Sequence, residues 1–345
     1  MEYTIKDVAR IAGVSVATAS MAVNGKPGPK EETRKKVLDV AAKLKYTPNA
    51  SARTLIKKRS ESIGLIVTDI TNPFFGMLVN EINKEVVKYG YTLSLALSCD
   101  SPEHEIRAVK KFMEDRVEGV IIVPSALYNS DNLHHIKLLS DANIPFVFST
   151  SAYKEIDAAC IMCDLEKGAY MVTEHLLNTG HRKIVMLSGA SNTLFSSNRI
   201  EGCKKAHSDK GLIFDDSMIF ESYPDYMGGY NAANLCLSVS PDAIIAINDQ
   251  MAMGVIRYLK EHNYSVGNNI SVAGFDDLLY SSLLETPLTT VRQPLSELAS
   301  KTVSILIKGI QNGYINKQYY YIDPILKIRN TTNNYKNKGE KYETF

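Results

Sequence analysis

The first part of the chain carries the hydrophobic pattern of short helices. Apolar residues recur with the i, i+3, i+4, i+7 spacing of one helix face at Ile5, Val8, Ala9 and Ala12. Thr4 precedes this face and Asp7 follows it three residues later, which predicts an N-terminal cap with an acidic capping partner. Gly13 interrupts the pattern and Ser15 can cap a second helix. The opening therefore predicts a helix-turn-helix.

From residue 62 the pattern becomes one of short apolar runs that alternate with amphipathic stretches. Strands are predicted at 62–67, 91–97, 119–123, 145–149, 158–162, 183–188, 218–222, 243–247 and 270–274. Helices are predicted between them, for example at 73–89, 102–116 and 164–179. Strand–helix alternation predicts parallel sheets that are covered on both faces. Nine strands are too many for one compact sheet, so we predict two doubly wound lobes.

Charge divides the chain in the same place. Of its 345 residues, the first 60 contain 13 Lys and Arg against 5 Asp and Glu, whereas the remainder contains 26 against 33. The overall charge of +1 therefore conceals a basic head on an acidic body. Such a head is expected to bind a polyanion, with phosphate contacts that provide salt-sensitive affinity.

Export, membrane insertion and a disulfide framework are not expected. The sequence starts with a polar helix rather than an apolar leader, and no apolar run is long enough to span a bilayer, so we predict a cytoplasmic location. The five cysteines have irregular spacing. Cys160 and Cys163 form a C-x-x-C, for which a buried strand is favoured over a metal or redox site because no second Cys or His pair accompanies it.

Several motifs follow one another in an order that resembles a known family. The head reads TIKDVARIAGVSVATASMAVNG from residue 4, then KEETRKKVLDVAAKLKY and TPNASARTL. The body contains SIGLIVTDITNPFF at 62–75, GHRKIVMLSG at 180–189, Arg199 with Gly202, INDQMAMG at 247–254, ISVAGFDD at 270–277 and LTTVRQP at 288–294. This series is similar to that of lactose-repressor-type (LacI/GalR) transcription regulators.

The resemblance implies the architecture of the chain. It implies an all-α helix-turn-helix head with a hinge helix, followed by a two-lobed α/β effector domain of periplasmic-binding-protein type with doubly wound parallel sheets. The expected boundaries are 1–47 for the head, 48–60 for the hinge and linker, and 61–330 for the effector-binding and dimerisation domain. Within that domain we expect an N-terminal lobe at about 61–161 and 290–318 and a C-terminal lobe at about 162–289 and 319–330. Residues 331–345, rich in Asn and Lys, are expected to be a disordered tail.

The resemblance also implies how the head reads DNA. The recognition helix corresponds to 15–23, with three residues facing base edges: Val16, Ala17 and Met21. The first two suit thymine methyl groups, and Met21 replaces an Arg that could bind guanine in many family members. Phosphate contacts, which set register, are expected from Thr4, Ser15, Thr18, Ser20, Asn24 and Tyr46. Helix capping is an alternative role for Ser15 and Thr18, and the two roles are compatible.

The hinge segment TPNASARTL implies that DNA binding is a property of a dimer. A helix this short is marginal in water on its own, and in the family it orders when two hinges meet on DNA. The hinge residues expected at the minor groove are Asn49, Ala52, Arg53 and Leu55. Leu55 corresponds to the leucine that wedges into a central base step. By itself a leucine would favour a core position, and the surrounding motif reverses that preference. The expected partners are a near-palindromic duplex and a second copy of the chain.

Ligands of paired α/β lobes bind between the lobes at the carboxyl ends of strands. By resemblance, the polar effector-binding residues are Arg199, Asn248 and Asp276, a set that suits vicinal hydroxyl groups such as those of a sugar. Further positions expected at the site are Phe74, Phe75, Ser125, Ser149 and Tyr223. Phe75 is equally consistent with ordinary core packing, and Ser149 stands where many members carry an Asp.

These features predict a transcription regulator, with repression as the expected mode, that responds to a sugar or a sugar derivative. A purine, a nucleoside or a sugar phosphate acting as corepressor is the alternative effector. A solute-binding protein is the competing class, but it would need an export signal and would lack the basic head. An enzyme is not expected, because no phosphate-binding loop, dinucleotide fingerprint or nucleophile elbow is present. No cofactor and no metal are expected.

Overall fold

The computed structural model describes residues 3–46, 59–125, 133–190 and 193–333. The chain divides into two compact units, Met1–Ser60 and Glu61–Phe345, which are described separately below. Within the described parts of the chain, no helix is both long and apolar enough to cross a membrane.

The described residues of the head, 3–46, form three helices. Its helices are α1 (Ile5–Ala12), α2 (Val16–Val23) and α3 (Glu31–Lys43). The predicted cap of α1 is confirmed, because the Asp7 carboxylate accepts hydrogen bonds from the backbone N–H of Thr4 at 3.0 Å and from its hydroxyl at 2.8 Å. Gly13 ends α1 with a φ of 68°, a left-handed conformation that favours glycine. Small apolar side chains form the core: Val8, Ala9, Ala12, Ala19, Ala22, Val37 and Ala41.

Six strands form the first sheet of the body. They are β1 (Ser62–Val67), β2 (Thr92–Leu97), β3 (Gly119–Ile122), β4 (Phe146–Ser149), β5 (Cys160–Cys163) and β11 (Tyr319–Ile322). Their order is β11-β5-β4-β3-β1-β2, and all neighbours are parallel. The helices of this first lobe are α4 (Pro73–Lys88), α5 (Pro102–Glu114), α6 (His134–Asp141) and α11 (Leu295–Asn312).

The second sheet also has six strands. They are β6 (Ile184–Ser188), β7 (Ile219–Glu221), β8 (Ala243–Ala246), β9 (Ser271–Asp276), β10 (Thr289–Arg292) and β12 (Ile325–Lys327). Their order is β12-β10-β9-β8-β6-β7, with β12 antiparallel to β10 and the other pairs parallel. The helices of this second lobe are α7 (Leu165–Asn178), α8 (Leu194–Asp209), α9 (Tyr226–Leu237) and α10 (Asp249–Glu261).

The chain passes between the lobes later than the sequence suggested. Residues 290–292 were expected in the first lobe, but β10 pairs with β9 and belongs to the second sheet. Residues 319–322 were expected in the second lobe, but they pair along the whole length of β5 in the first sheet. The expected boundaries at 161, 290 and 319 are therefore wrong by a few residues. Backbone pairing across the sheet, rather than any local signal, decides where each strand belongs.

The expectation of a disordered tail from residue 331 is wrong at its start. Thr331 and Thr332 are buried. The Thr331 hydroxyl accepts the Thr289 N–H at 2.8 Å, and the Thr332 hydroxyl lies 3.0 Å from Nε2 of His175. These contacts anchor the chain beside β10, so the second lobe extends at least to residue 332. Residues 334–345 lie outside the described part of the chain.

Candidate functional site

The residues expected to read DNA lie on and around α2. Ser15 caps this helix, since its Oγ accepts the Thr18 N–H at 3.0 Å and lies 2.8 Å from the Thr18 hydroxyl. This geometry confirms the capping role of Ser15. Val16 and Ala17 are exposed at the start of the helix, so their side chains are available to a groove. Asn24, at the end of the helix, donates from Nδ2 to the Ser20 carbonyl at 2.8 Å.

Met21 is less available than the other two residues expected to face bases. It is half-buried, and a Cβ added to Gly28 would lie only 3.2 Å from its Sδ atom. The thioether therefore rests on the loop between α2 and α3. Arg34 closes the same loop by donating to the carbonyls of Ala22 at 3.2 Å and Lys26 at 2.6 Å.

Two further positions expected to contact phosphate belong to the ends of the head. Thr4 is exposed at the start of α1, and Tyr46 is half-buried and packs against the head core. The four hinge positions, Asn49, Ala52, Arg53 and Leu55, lie outside the described residues.

A cavity of about 630 Å³ opens between the two lobes at the carboxyl ends of their strands. Seven of the eight expected effector residues line it: Phe74, Phe75, Ser125, Arg199, Tyr223, Asn248 and Asp276. The volume falls within the range of small-molecule sites, which is roughly 300–1,000 Å³. The site arises because parallel strands of both sheets direct their following loops to the same opening.

Ser149 does not line this cavity, and its expected place in the site is wrong. It is the last residue of β4 and is fully buried, and its hydroxyl has no hydrogen-bond partner among the described residues. Thr150, with a φ of 66°, and Ser151 line the cavity instead. The residues that follow β4, rather than its last residue, therefore line the cavity, because the pleat of the strand points the Ser149 side chain into the protein interior.

Arg199 and Asp276 form the charged centre of the second-lobe wall. Nη2 of Arg199 lies 3.8 Å from Oδ1 of Asp276, and both side chains are almost fully buried. The guanidinium lies 4.0 Å from the centre of the Phe275 ring, and Nη1 donates to the Phe195 carbonyl at 3.1 Å. Within the described residues, Nε of Arg199 has no hydrogen-bond partner. A buried donor without a partner is costly and is suited to a ligand oxygen.

Burial sets the protonation behaviour of this pair. It raises the pKa of Asp276 to about 6, against the opposing effects of Arg199 and of a hydrogen bond from Gln293. It also lowers the pKa of Arg199, which the Asp276 carboxylate counteracts. The carboxylate is therefore mostly ionised at neutral pH and can accept hydrogen bonds from hydroxyl groups.

Asn248 has a structural role in addition to its place in the cavity. Its Oδ1 caps α10 by accepting the Met251 N–H at 2.8 Å, and its Nδ2 donates to the Pro224 carbonyl at 2.8 Å. One amide hydrogen and one lone pair remain for a ligand. Asn248 therefore offers fewer ligand contacts than a free amide would.

Sequence reasoning missed most of the polar residues on the first-lobe wall. Asp69 follows β1, and its carboxylate accepts from the Thr71 N–H at 2.7 Å and from the Thr71 hydroxyl. Asn72 caps α4 through the Phe74 N–H at 3.0 Å, and Asp100 follows β2. All of them line the cavity. Asp69 and Asp100 come shortly after the predicted strands 62–67 and 91–97, which was the available signal for these two residues.

Aromatic side chains form the apolar part of the cavity. Phe74 and Phe75 pack edge to face with centroids 5.3 Å apart, and both also contact the first-lobe core. Tyr223 is 63% exposed on the opposite wall. Burial raises the pKa of its phenol, and so do the carboxylates of Asp100, Asp225 and Asp69, which belong to both lobes.

The cysteines do not form a second site. Burial raises the pKa of both Cys160 and Cys163 to about 12, so their thiols stay protonated within β5. All five cysteines are free. No group of three or more His, Cys, Asp or Glu with metal-binding placement occurs in the part of the chain that the structure describes.

Two family models match the two units. The model of bacterial regulatory proteins of the lacI family matches residues 4–49. The model of periplasmic binding proteins and the sugar binding domain of the LacI family matches residues 60–327. The chain belongs to the LacI family. Because the head model accompanies the body model, this LacI-family chain is a regulator rather than a solute-binding protein.

Individual relatives agree with this assignment over nearly the whole chain. Catabolite control protein A of Priestia megaterium is 32% identical over 96% of this chain and 100% of its own length. The ribose operon repressor of Haemophilus influenzae is 29% identical over 94% and 97%. The crystal structure of the lac repressor dimer bound to operator and the anti-inducer ONPF is 28% identical, with a TM-score of 0.84 and coverage of 96% and 99%. The predicted family, the fold class and a transcription regulator rather than an enzyme are confirmed.

Proposed function

We propose that this LacI-family protein is a homodimeric, sequence-specific repressor that acts in the cytoplasm and releases or binds a near-palindromic operator in response to a neutral sugar. The head supplies the DNA-binding surface, with α2 in the major groove and the basic charge of residues 1–60 on phosphates. The body supplies the effector site and the dimer contacts. The lac repressor dimer bound to operator, which is similar over almost the whole chain, supports this assignment.

The observation that carries the choice of effector is the charge of the cavity. Among the described residues that line it, carboxylates outnumber basic side chains five to two: Asp69, Asp100, Glu155, Asp225 and Asp276 against Lys154 and Arg199. A phosphate group would be repelled by this lining. A neutral polyhydroxylated molecule would instead donate hydrogen bonds to the carboxylates and place its apolar face on the aromatic wall.

The second candidate effector is a purine or a nucleoside. The observation that favours it is the aromatic content of the cavity, where Phe74, Phe75 and Tyr223 offer flat apolar surfaces to a base. The five carboxylates would accept hydrogen bonds from exocyclic amino groups as readily as from hydroxyls. A sugar phosphate is less compatible with the site because of its negative charge.

Exposed apolar surface on the body supports dimerisation. The edge strand β2 of the first sheet exposes Leu95 and Leu97, and Val87 near the end of α4 is 59% exposed. In the second lobe, Leu279 and Leu283 are exposed to 67% and 71%. Edge strands and apolar patches of this kind are usually covered by a partner. Light scattering at micromolar concentration should give the mass of a dimer, and a stable monomer that still binds operator would refute this part.

The function is tested with full-length protein in two steps. Selection from random duplexes should return a near-palindromic site, to which the protein binds with an affinity that depends steeply on salt. Titrations of that site are then repeated with D-glucose, D-ribose and cellobiose, with the 6-phosphate of glucose, and with guanine and adenosine. A response to a neutral sugar is expected. A response to glucose 6-phosphate or to the purines alone would replace the neutral sugar as the proposed effector. If the selection returns no preferred site, sequence-specific DNA recognition is refuted.

A further inference from the structure

Asp249 lies directly behind the wall of the cavity. It is the first residue of α10 and is fully buried, and it does not line the cavity although Asn248 and Gln250 on either side of it do. We propose that Asp249 is a positioning residue that fixes the place of the Asp276 carboxylate in the effector site. The inference rests on the proposed function in one respect, namely that Asp276 contacts the effector.

Hydrogen bonds connect Asp249 to the backbone that follows β9. Its Oδ2 accepts the Leu278 N–H at 2.8 Å. Its Oδ1 accepts the Thr290 hydroxyl at 2.5 Å, and Oγ1 of Thr290 in turn accepts the Asp277 N–H at 3.3 Å. The two backbone N–H groups that follow Asp276 are therefore both connected to Asp249. The Leu278 N–H is bonded to it directly, and the Asp277 N–H through the Thr290 hydroxyl.

A third donor connects Asp249 to the turn beyond. The Ser281 hydroxyl, in the short 3-10 helix Leu279–Ser282, donates to Oδ2 at 2.5 Å. Donors thus reach one buried carboxylate from the end of β9, from this 3-10 helix and from β10. A carboxylate with several such bonds fixes the relative positions of the segments that donate to it.

The backbone held by these bonds has an unfavourable conformation. Asp276 has a φ of 112° and Asp277 a φ of 55°, values that non-glycine residues rarely adopt. Such conformations persist where the surroundings determine them, and they concentrate at functional sites. From the other side, the Asp277 carboxylate pairs with Arg292 and Arg329, each at 2.6 Å. The direction of the Asp276 side chain is a consequence of this turn.

Asp249 packs closely against β9. A Cβ added to Gly274 in β9 would lie 2.3 Å from Oδ1 of Asp249 and 3.2 Å from its Cα. The start of α10 therefore rests directly on β9. Burial and, to a smaller extent, the nearby Asp276 carboxylate raise the pKa of Asp249 to about 7, against the opposing effect of three hydrogen bonds. A second carboxyl placed here at this cost is better explained by a positioning role than by core packing.

Thr290 allows the proposal to be tested without touching the cavity, since it is fully buried and does not line it. Thr290→Val removes the bridging hydroxyl and keeps the shape, whereas Thr290→Ser keeps the hydroxyl and removes a methyl group. Hydrogen–deuterium exchange of the peptide 275–282 is measured in the full-length, ligand-free protein. The neutral sugar that responds in wild type, among D-glucose, D-ribose and cellobiose, is then titrated by thermal shift.

For Thr290→Val we expect exchange in 275–282 to accelerate and sugar affinity to fall, each by about tenfold, as for the loss of one buried hydrogen bond. For Thr290→Ser we expect both to stay near wild type. Asp242→Asn is the matched control, because Asp242 is a buried carboxylate of the same lobe. It accepts hydrogen bonds from the backbone N–H groups of Arg182 and Lys183 at 2.7 and 3.0 Å. It lies before β8, whereas Asp249 lies after it. It should lower stability and leave sugar affinity unchanged.

A purely structural role predicts a different pattern. Both Thr290 variants and Asp242→Asn would then lower stability alike, with unchanged sugar affinity and unchanged exchange in 275–282, and the proposal would be overturned. If wild type binds none of the three sugars, the sugar assignment fails separately, and the exchange measurement alone decides whether Asp249 and Thr290 hold the turn at Asp276.

Discussion

Nε2 of Gln293 donates a hydrogen bond of 2.7 Å to Oδ1 of Asp276. Asp276 ends β9 in the second lobe, and Gln293 stands where the chain leaves β10 for α11, which packs against α4 and the first sheet. The carboxylate proposed to bind the effector is therefore bonded to a segment that connects the lobes. A ligand that competes for this oxygen would change a bond at that connection, which gives the effector a physical means of favouring one arrangement of the lobes.

Removing the Asp276 carboxylate should separate sensing from DNA binding. Asp276→Ala is expected to weaken effector binding by about a hundredfold, because a buried acceptor that pairs with ligand hydroxyls contributes a few kcal/mol. Basal operator affinity should change far less than effector affinity, since the head is unchanged and the lobe connection loses only the bond to Gln293. The measurement is an operator titration with and without the sugar. Asp216→Ala, at an exposed ion pair with Lys204, is the control and should respond normally.

Effector affinity should depend on pH in a direction set by Asp276. Its pKa is raised to about 6, so the acceptor carboxylate is progressively lost below that pH. Sugar affinity should fall by up to about tenfold per pH unit between pH 6 and 5. The same shift has the opposite effect on stability: the folded state binds this proton more tightly than the unfolded state, so the contribution of Asp276 to stability increases as pH falls. Asp276→Asn should bind weakly with a flat pH profile in this range, and a steep profile in that variant would assign the titration to another group.

The contact between β9 and α10 should be intolerant of a side chain at Gly274. Gly274→Ala places a Cβ 2.3 Å from Asp249 Oδ1, so strand and helix must separate, at a cost of about 1–3 kcal/mol. Gly76→Ala in α4 is the matched control, because the atom nearest to its Cβ is 3.7 Å away. It should be neutral or stabilise the helix by up to about 1 kcal/mol. Chemical denaturation of both variants checks this, and equal stabilities would contradict it.

Met21→Arg should change sequence preference rather than raise affinity at every site. A bidentate contact from Arg to guanine contributes about 1–3 kcal/mol of discrimination at one base pair. The change also removes the thioether from its place beside Gly28, so a small loss of head stability is expected. Selection on randomised half-sites is the measurement. An unchanged preferred base with higher affinity throughout would place residue 21 towards phosphate or solvent.

Leu55→Ala should weaken operator binding far more than non-specific binding. By resemblance to the family, Leu55 wedges into a central base step. Unstacking that step costs a few kcal/mol, and only the additional contacts made by a bent operator offset this cost. Anisotropy titrations on the selected site and on a scrambled duplex of equal length measure the ratio. Equal losses on both would remove the wedge from the mechanism.

Local signals in the sequence were sufficient for most of the secondary structure. The caps at Thr4 and Ser15 were visible because their partners lie within three residues. All nine predicted strands are present, since each is an apolar run between turn residues. The three strands that were missed, β10, β11 and β12, are short, and β10 and β11 contain Thr, Tyr and Arg. They are strands because a neighbouring strand supplies their hydrogen bonds, which no local pattern records.

The residues of the candidate site also fall into two groups, those that the sequence identified and those that only the fold placed. Motif positions alone were enough to select Arg199, Asn248 and Asp276, which the structure brings to one cavity. Tertiary structure decided that Ser149 turns inwards, that Gln293 reaches Asp276, and that Asp249 is buried behind it. Residues far apart in sequence make these contacts, and the pleat, the crossovers and the packing of α10 on β9 determine them. The sequence by itself determined which chemistry is present, whereas the folded chain decided which of those groups face a ligand and which hold others in place.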